Sequence, residues 1–185
     1  MSDWVRWNGL HTLDEDDELT ISIAGREVVR LNIERGTVSK HWSDETPIEQ
    51  DRQHAGGVVA FCRLAHREPI LVRDEWINGE GKIHCYLADG RSVSVKQTPY
   101  ERGQLLVEED EPRVPDIYVL MVGVSPTYVF RGWETRERIF LPENLTWGYR
   151  SKAQRPSQRY HLRQQLFANA GNPIGFLQRD LELPE

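Results

Sequence analysis

The chain predicts an α+β (mixed α/β) fold in which a central mixed sheet is flanked by helices. Three features point there: a long helical stripe, "PIEQDRQHAGGVVAFCRLAH" at 47–66; a hairpin pattern, "KIHCYLADGRSVSVKQT" at 82–98; and an eight-residue apolar run, "IYVLMVGV" at 117–124. Strands, a helix, a run of strands and a helical end, in that order, describe α+β rather than a strictly alternating βαβ chain. At 185 residues the chain fits one domain with a substantial core, so neither a metal nor a disulfide staple is required. Within 1–185 the reading assigns N-terminal strands to 1–45, the core to 46–145, and a basic segment with a C-terminal helix and tail to 146–185.

Taken in order, "LTISIAG" and "EVVRLNIE" read as two strands joined by a turn at Ala24-Gly25-Arg26. Pro47 suits a first helical turn, and Ala55, Val58, Val59, Cys62 and Leu64-Ala65 follow a helical apolar stripe. Gly56 and Gly57 interrupt that helix at about 1 kcal/mol each relative to alanine, which predicts another backbone packed close against them. A strand is expected around 69–73. Asp89-Gly90 is a strong hairpin turn signal between "KIHCYLA" and "SVSVKQT". "QLLVEE" continues the meander into an acidic loop. "DIYVLMVGV" is a central strand bounded by Ser125-Pro126, and "TYVFRGWET" follows as another. "ERIFLPENL" is a short strand or turn, and 158–167 reads as a short helix before a Pro- and Gly-punctuated tail.

With 29 acidic and 23 basic residues the net charge is −6, which argues against indiscriminate nucleic-acid binding. The distribution is uneven. "DEDDE" at 14–18 and "EEDE" at 108–111 are acidic blocks, whereas 146–163 holds five Arg/Lys and no carboxylate. Such a local basic surface can bind phosphate inside an acidic protein; the plainer reading of each block is a solvated loop. Cys62 and Cys85 form no CxxC pattern and read as buried free thiols of a reducing compartment, not a zinc site. No basic leader precedes an apolar stretch, and the longest apolar run is far too short to span a bilayer, so a cytoplasmic, soluble chain without a membrane partner is expected. "GEGK" at 79–82 is too short for a phosphate loop, and no serine lies in a G-x-S-x-G elbow.

The order of helix "HAGGVVAFCRL", hairpin "GKIHCYLADGRSVSVKQT", strand "PDIYVLMVGV" and "YVFRGWETRERIFLP" resembles the PD-(D/E)XK nucleases, the restriction-endonuclease-like superfamily, and within it the small phage-type members. The likeness covers roughly 45–165 and implies a restriction-endonuclease-like core. In active members of that superfamily, acids on the first hairpin strand and in the tripeptide hold divalent metal, and the lysine, often with a helix glutamate, completes the site. Hard Mg²⁺ takes carboxylate oxygens, and a metal-bound water attacks phosphorus.

Carried over position by position, the resemblance puts the helix glutamate slot at Val58, the first acid slot at or next to His84, and the tripeptide at Ser94-Val95-Lys96. Lys96 alone matches. Valine cannot ligate metal, serine is a poor neutral ligand, and histidine suits zinc or iron better than magnesium. A two-residue Asp89-Gly90 turn would set His84 opposite Val95. A three-residue loop with a glycine bulge would set it opposite Lys96, on the site face. As a lone histidine on a half-buried strand, His84 reads first as structural. Asp51, Asp74, Glu75, Glu80, Asp89 and Asp116 are the acids available for a migrated site.

The resemblance therefore implies a catalytically degenerate, vestigial site with no metal cofactor, in a phage-related domain that binds DNA or a protein. Arg150, Lys152, Arg155, Arg159 and Arg163, interleaved with Tyr149 and Tyr160, are the candidate phosphate contacts. Two alternatives remain open: an active Mg²⁺-dependent nuclease with migrated acids, and a purely structural or protein-interaction module. The oligomeric state is not legible.

Overall fold

The computed structural model of the chain describes residues 9–36, 46–72, 83–109, 111, 114–148 and 157–162. Among these residues the architecture is α+β in three layers: two long helices, a five-stranded mixed sheet, and a three-stranded antiparallel sheet.

The first element differs from expectation. After β1 (Leu10–Thr12), the two strands expected within 1–45 are a single helix, α1 (Glu15–Glu34). Asp14 caps it, accepting the Asp17 N–H at 2.8 Å, and the acidic block fills its first turn, where the helix dipole favours negative charge. Asp17, Ile21, Ala24 and Gly25 are its buried residues, a spacing of four, three and one that belongs to a helix face. Gly25 is not a turn residue. A Cβ there would lie 3.0 Å from Arg52 N and 3.1 Å from Ile48 O, so this glycine lets the backbone of the next helix approach.

That helix, α2 (Pro47–Leu64), starts with Thr46 as N-cap and Pro47 in its first turn. Its residues 55–62 are all buried, and Asp17 of α1 accepts two hydrogen bonds from Arg63 at 3.1 and 2.8 Å across the helix pair. Gly56 and Gly57 do mark close approach, but to sheet side chains instead of a backbone. A Cβ on Gly56 would lie 2.1 Å from the Tyr128 hydroxyl, and one on Gly57 would lie 2.9 Å from Gln97 Cβ.

The main sheet contains β2 (Cys85–Tyr86), β3 (Ser92–Thr98), β5 (Ile117–Val124), β6 (Thr127–Thr135) and β1, in the order β1-β6-β5-β3-β2. Among the described strands of this sheet, only β3 and β5 run parallel. Residues 69–72, part of the strand expected around 69–73, lie outside any strand; the Ile70 N–H donates to His84 O at 2.7 Å. Asp116 ties β3 to β5 at their starts: its Oδ2 accepts the Ser92 N–H at 2.9 Å and the Ser92 hydroxyl at 2.7 Å. These bonds, together with Arg136, hold its carboxyl below the usual aspartate range.

The second sheet overturns two more expectations. β4 (Leu105–Glu108) does not continue the meander; it pairs with β8 (Ser157–Leu162), which also pairs with β7 (Leu145–Gly148). The helix expected over 158–167 is therefore a strand through Leu162, and 163–167 lies outside the described residues. A one-turn helix, α3 (Arg136–Ile139), and a 3-10 turn at Pro142–Asn144 lead from the first sheet to the second.

Burial divides accordingly. Val58, Val59, Phe61, Val93, Val95, Val119, Met121, Tyr128 and Phe130 belong to the core on the helix side. Leu105, Val107, Tyr118, Leu120, Val122, Ile139 and Leu162 fill the core on the side of the second sheet. Strand alternation delivers neighbouring residues of β3 and β5 to opposite cores. Among the described residues, no helix is long and apolar enough to cross a membrane.

Candidate functional site

The four positions drawn from the resemblance fall on two faces of the sheet. On β3, Val93 and Val95 enter the helix-side core, so Ser94 and Lys96 point the other way, where Lys96 Nζ lies 5.8 Å from the Tyr118 ring centre. Val58 is buried in the helix-side core. His84 also lies on the helix side, where its ring meets His54 of α2 edge-on with centroids 5.1 Å apart. The structure thus brings Ser94 together with Lys96, and neither of them with Val58 or His84.

Hairpin geometry explains the placement of His84. The loop is Ala88-Asp89-Gly90, with Gly90 at φ +86° and a Leu87 N–H to Arg91 O bond of 2.9 Å, a three-residue connection with glycine in the left-handed region. Cys85 pairs with Val93 and Tyr86 with Ser92, while the His84 N–H also bonds Val93 O at 2.7 Å. His84 is therefore opposite neither Val95 nor Lys96, the two registers expected. Its Nδ1 accepts the Val95 N–H at 2.8 Å, which leaves the ring proton of a neutral imidazole on Nε2. That nitrogen lies 3.3 Å from His54 Nε2, the acceptor in this assignment. With one nitrogen committed to an amide and the other protonated, His84 as placed offers no lone pair to a metal.

The opposite face carries a polar row that crosses three strands. Ser94 pairs with Tyr118, and Tyr118 with Glu134, and all three are fully buried. Glu134 Oε1 accepts the Thr135 N–H at 2.9 Å, and Oε2 is 3.3 Å from Arg138 Nη1. One step along β3, Lys96 Nζ donates to both oxygens of Glu111, each at 2.6 Å. The side chains of that pair are 15% and 10% exposed, so the cluster reaches the surface only at its rim. Among the described residues, the Ser94 hydroxyl has no hydrogen-bond partner.

Glu111, Tyr118 and Glu134 were not singled out from sequence. Glu111 belongs to the "EEDE" block, whose charge reads locally as solvated loop, and Lys96 is fifteen positions away. Glu134 was masked by a bulge: Leu120 pairs with Gly132 but Met121 with Phe130, so the extra Arg131 resets the alternation that an unbroken strand would have kept.

The remaining acids are spoken for or lie elsewhere. Asp89 pairs with Arg91 in the hairpin turn, Asp116 staples β3 to β5, and Asp51 is half-buried on α2. Asp74, Glu75 and Glu80 lie outside the described residues, as do Tyr149, Arg150, Lys152, Arg155 and Arg163. Arg159 and Tyr160 fall in β8, opposite Glu108 and Val107 of β4. Among the described residues, no group of three His, Cys, Asp or Glu side chains is placed to hold a metal ion. Cys62 and Cys85 are both free and buried; the neighbouring Cys85 thiol, together with burial, pushes the Cys62 thiol well above its ordinary pKa.

No family model matches the chain, and comparisons with curated proteins and with solved structures find no match either.

Proposed function

We propose that this chain is a nuclease-like domain of the PD-(D/E)XK type that has lost its phosphodiesterase chemistry and acts by binding DNA through its basic segment, residues 146–163. The observation that carries the first half is the capture of Lys96 by Glu111. A lysine that neutralises charge on a reacting phosphate must present its ammonium to that phosphate. Here both oxygens of an internal carboxylate hold it, in a face covered by the second sheet. Ser94 and Val58 supply no charged oxygen for Mg²⁺, and they lie on opposite sides of the main sheet.

DNA binding is supported by the charge pattern: five Arg/Lys and no carboxylate over 146–163 in an otherwise acidic chain. β7 and β8 pair from Gly148↔Ser157 inward, so a paired strand end stands on each side of 149–156. The test is duplex binding as a function of salt. Arg155→Ala with Arg159→Ala should weaken binding evenly across sequences and reduce the salt slope by about one unit per lost phosphate contact. Wild-type protein that fails to bind at low salt would remove DNA as the partner. The protein-partner reading would then stand, favoured by the exposed Leu19, Ile23 and Ile33 on α1.

A further inference from the structure

We propose that the outward face of α1 is a self-complementary seam through which two copies of this chain pair, helix against antiparallel helix. The surface is separate from the basic segment, so the inference stands whether or not the chain binds DNA.

Helix α1 carries two stripes. Asp17, Ile21, Ala24 and Gly25 are its buried residues; Asp17 binds Arg63 of α2, and Gly25 meets the α2 backbone. On the opposite side of the helix, Asp16, Leu19, Ile23, Arg26, Arg30 and Ile33 are all exposed, the three apolar ones by 62%, 60% and 73%. Their spacing is three, four, three, four and three, the seam of a coiled coil. Among the described residues, neither the Asp16 carboxylate nor the Arg26 guanidinium is drawn into an ion pair, whereas Arg30 is held by Glu27 and Glu34 of its own helix.

The order of residues along the seam selects the partner. In an antiparallel pair with Leu19 level with Ile23 of the second copy, Asp16 is level with Arg26 of that copy. The two-fold axis repeats both contacts, so two apolar layers lie between two layers of opposite charge. Sliding the copies by one heptad sets Leu19 against Arg30 and Ile23 against Arg26. A parallel pair in register sets Asp16 against Asp16 and Arg26 against Arg26, which repel. Each charge in the central part of the seam therefore finds its complement in the same seam reversed, and that points to a second copy of this chain. Arg30 and Ile33 lie past the end of the overlap.

Sedimentation equilibrium of the full chain over about a hundredfold range of concentration tests this, with four variants at exposed positions. These are Arg26→Glu, Asp16→Arg, the two combined, and Leu19→Gln with Ile23→Gln. Wild type should pass reversibly from monomer to dimer, weakly because the overlap is far smaller than a permanent interface, and salt should favour the monomer. Arg26→Glu and Asp16→Arg each turn both outer layers from opposite to like charge, so each should weaken association roughly tenfold. The combined variant exchanges the charges and should dimerise as wild type does. Mixed together, the two single variants should pair with each other, because every layer is then complementary. Glutamine at both apolar positions should abolish the dimer. Circular dichroism checks that each variant is folded; if those at Asp16 are not, Arg26→Glu and the glutamine variant decide alone.

Wild type that stays monomeric across the range overturns the proposal and leaves the seam to another segment of this chain or to a different protein. A dimer that survives the glutamine variant lies on another surface and overturns it as well. So does a combined variant that folds but stays monomeric, because the order of charges would then not set the pairing.

Discussion

Lys96 holds its ammonium 2.6 Å from each oxygen of Glu111 and over the Tyr118 ring, and both charges are largely shielded from solvent. Removing one partner leaves the other as an uncompensated buried charge, whereas replacing both with apolar groups does not. Glu111→Ala should therefore cost about 3 kcal/mol of unfolding free energy, and the double variant Lys96→Met, Glu111→Leu should recover most of it. Chemical denaturation of the two proteins checks this, and an Ala variant as stable as wild type would mean that the pair is not formed. His84 carries a second expectation. Its ring nitrogens should show the Nε2-protonated tautomer by NMR, and His84→Ala should cost about 1–3 kcal/mol by leaving the Val95 N–H buried without its acceptor. Lys96 was singled out through the resemblance, at the end of a hairpin strand that reads locally. Glu111 was not, because nothing local distinguishes a carboxylate that docks from one that is solvated.

At the scale of elements, the readings that succeeded were those in which local preference and packing agree. Helix α2 has a capping threonine, a proline in its first turn and an unbroken buried run; β5 is apolar throughout because both its faces are covered. Helix α1 was hidden by its own composition. Ile21, Ile23, Val28, Val29 and Ile33 favour strands locally, and Gly25 imitates a turn, yet its value lies in the approach of Arg52 and Ile48, a tertiary contact invisible in one sequence. β8 was similarly misread, since its strand state depends on pairing with β4 and β7. Gly56→Ala would drive a methyl group into the Tyr128 hydroxyl, 2.1 Å from the ideal Cβ position, and should cost about 1–3 kcal/mol through overpacking. A neutral result in thermal denaturation would show that α2 can lift from the sheet at little cost.

The Asp116 staple makes an element-level prediction in pH. Its folded pKa is depressed from 3.8 by the Ser92 hydrogen bonds and Arg136. A depressed carboxylate contributes stability above the unfolded-state value and loses it as pH falls through the lower folded one. Asp116→Asn should therefore lower stability near neutral pH and flatten its decline in acid below about pH 4. If wild type and variant lose stability in parallel over that range, the staple does not couple β3 to β5 as described.

For the whole molecule, the ordering of layers decides what chemistry the main sheet can support. Helix α2 packs on one face, where Val58 lies in the core and His84 is buried, and the second sheet covers the other, where Ser94, Tyr118 and Glu134 are fully buried. The α+β class and the packing of α2 on the sheet were readable from apolar periodicity. The second sheet was not, because it is assembled from strands as distant as β4 and β8. Yet that sheet is what closes the face bearing Lys96. Incubation of purified wild type and Lys96→Ala with DNA in Mg²⁺ or Mn²⁺ tests the consequence most directly. The predicted result is no metal-dependent cleavage by either protein; cleavage that follows the wild type through purification and disappears in Lys96→Ala would contradict it, and would turn attention to Asp74, Glu75 and Asp116 as the acids of a working site.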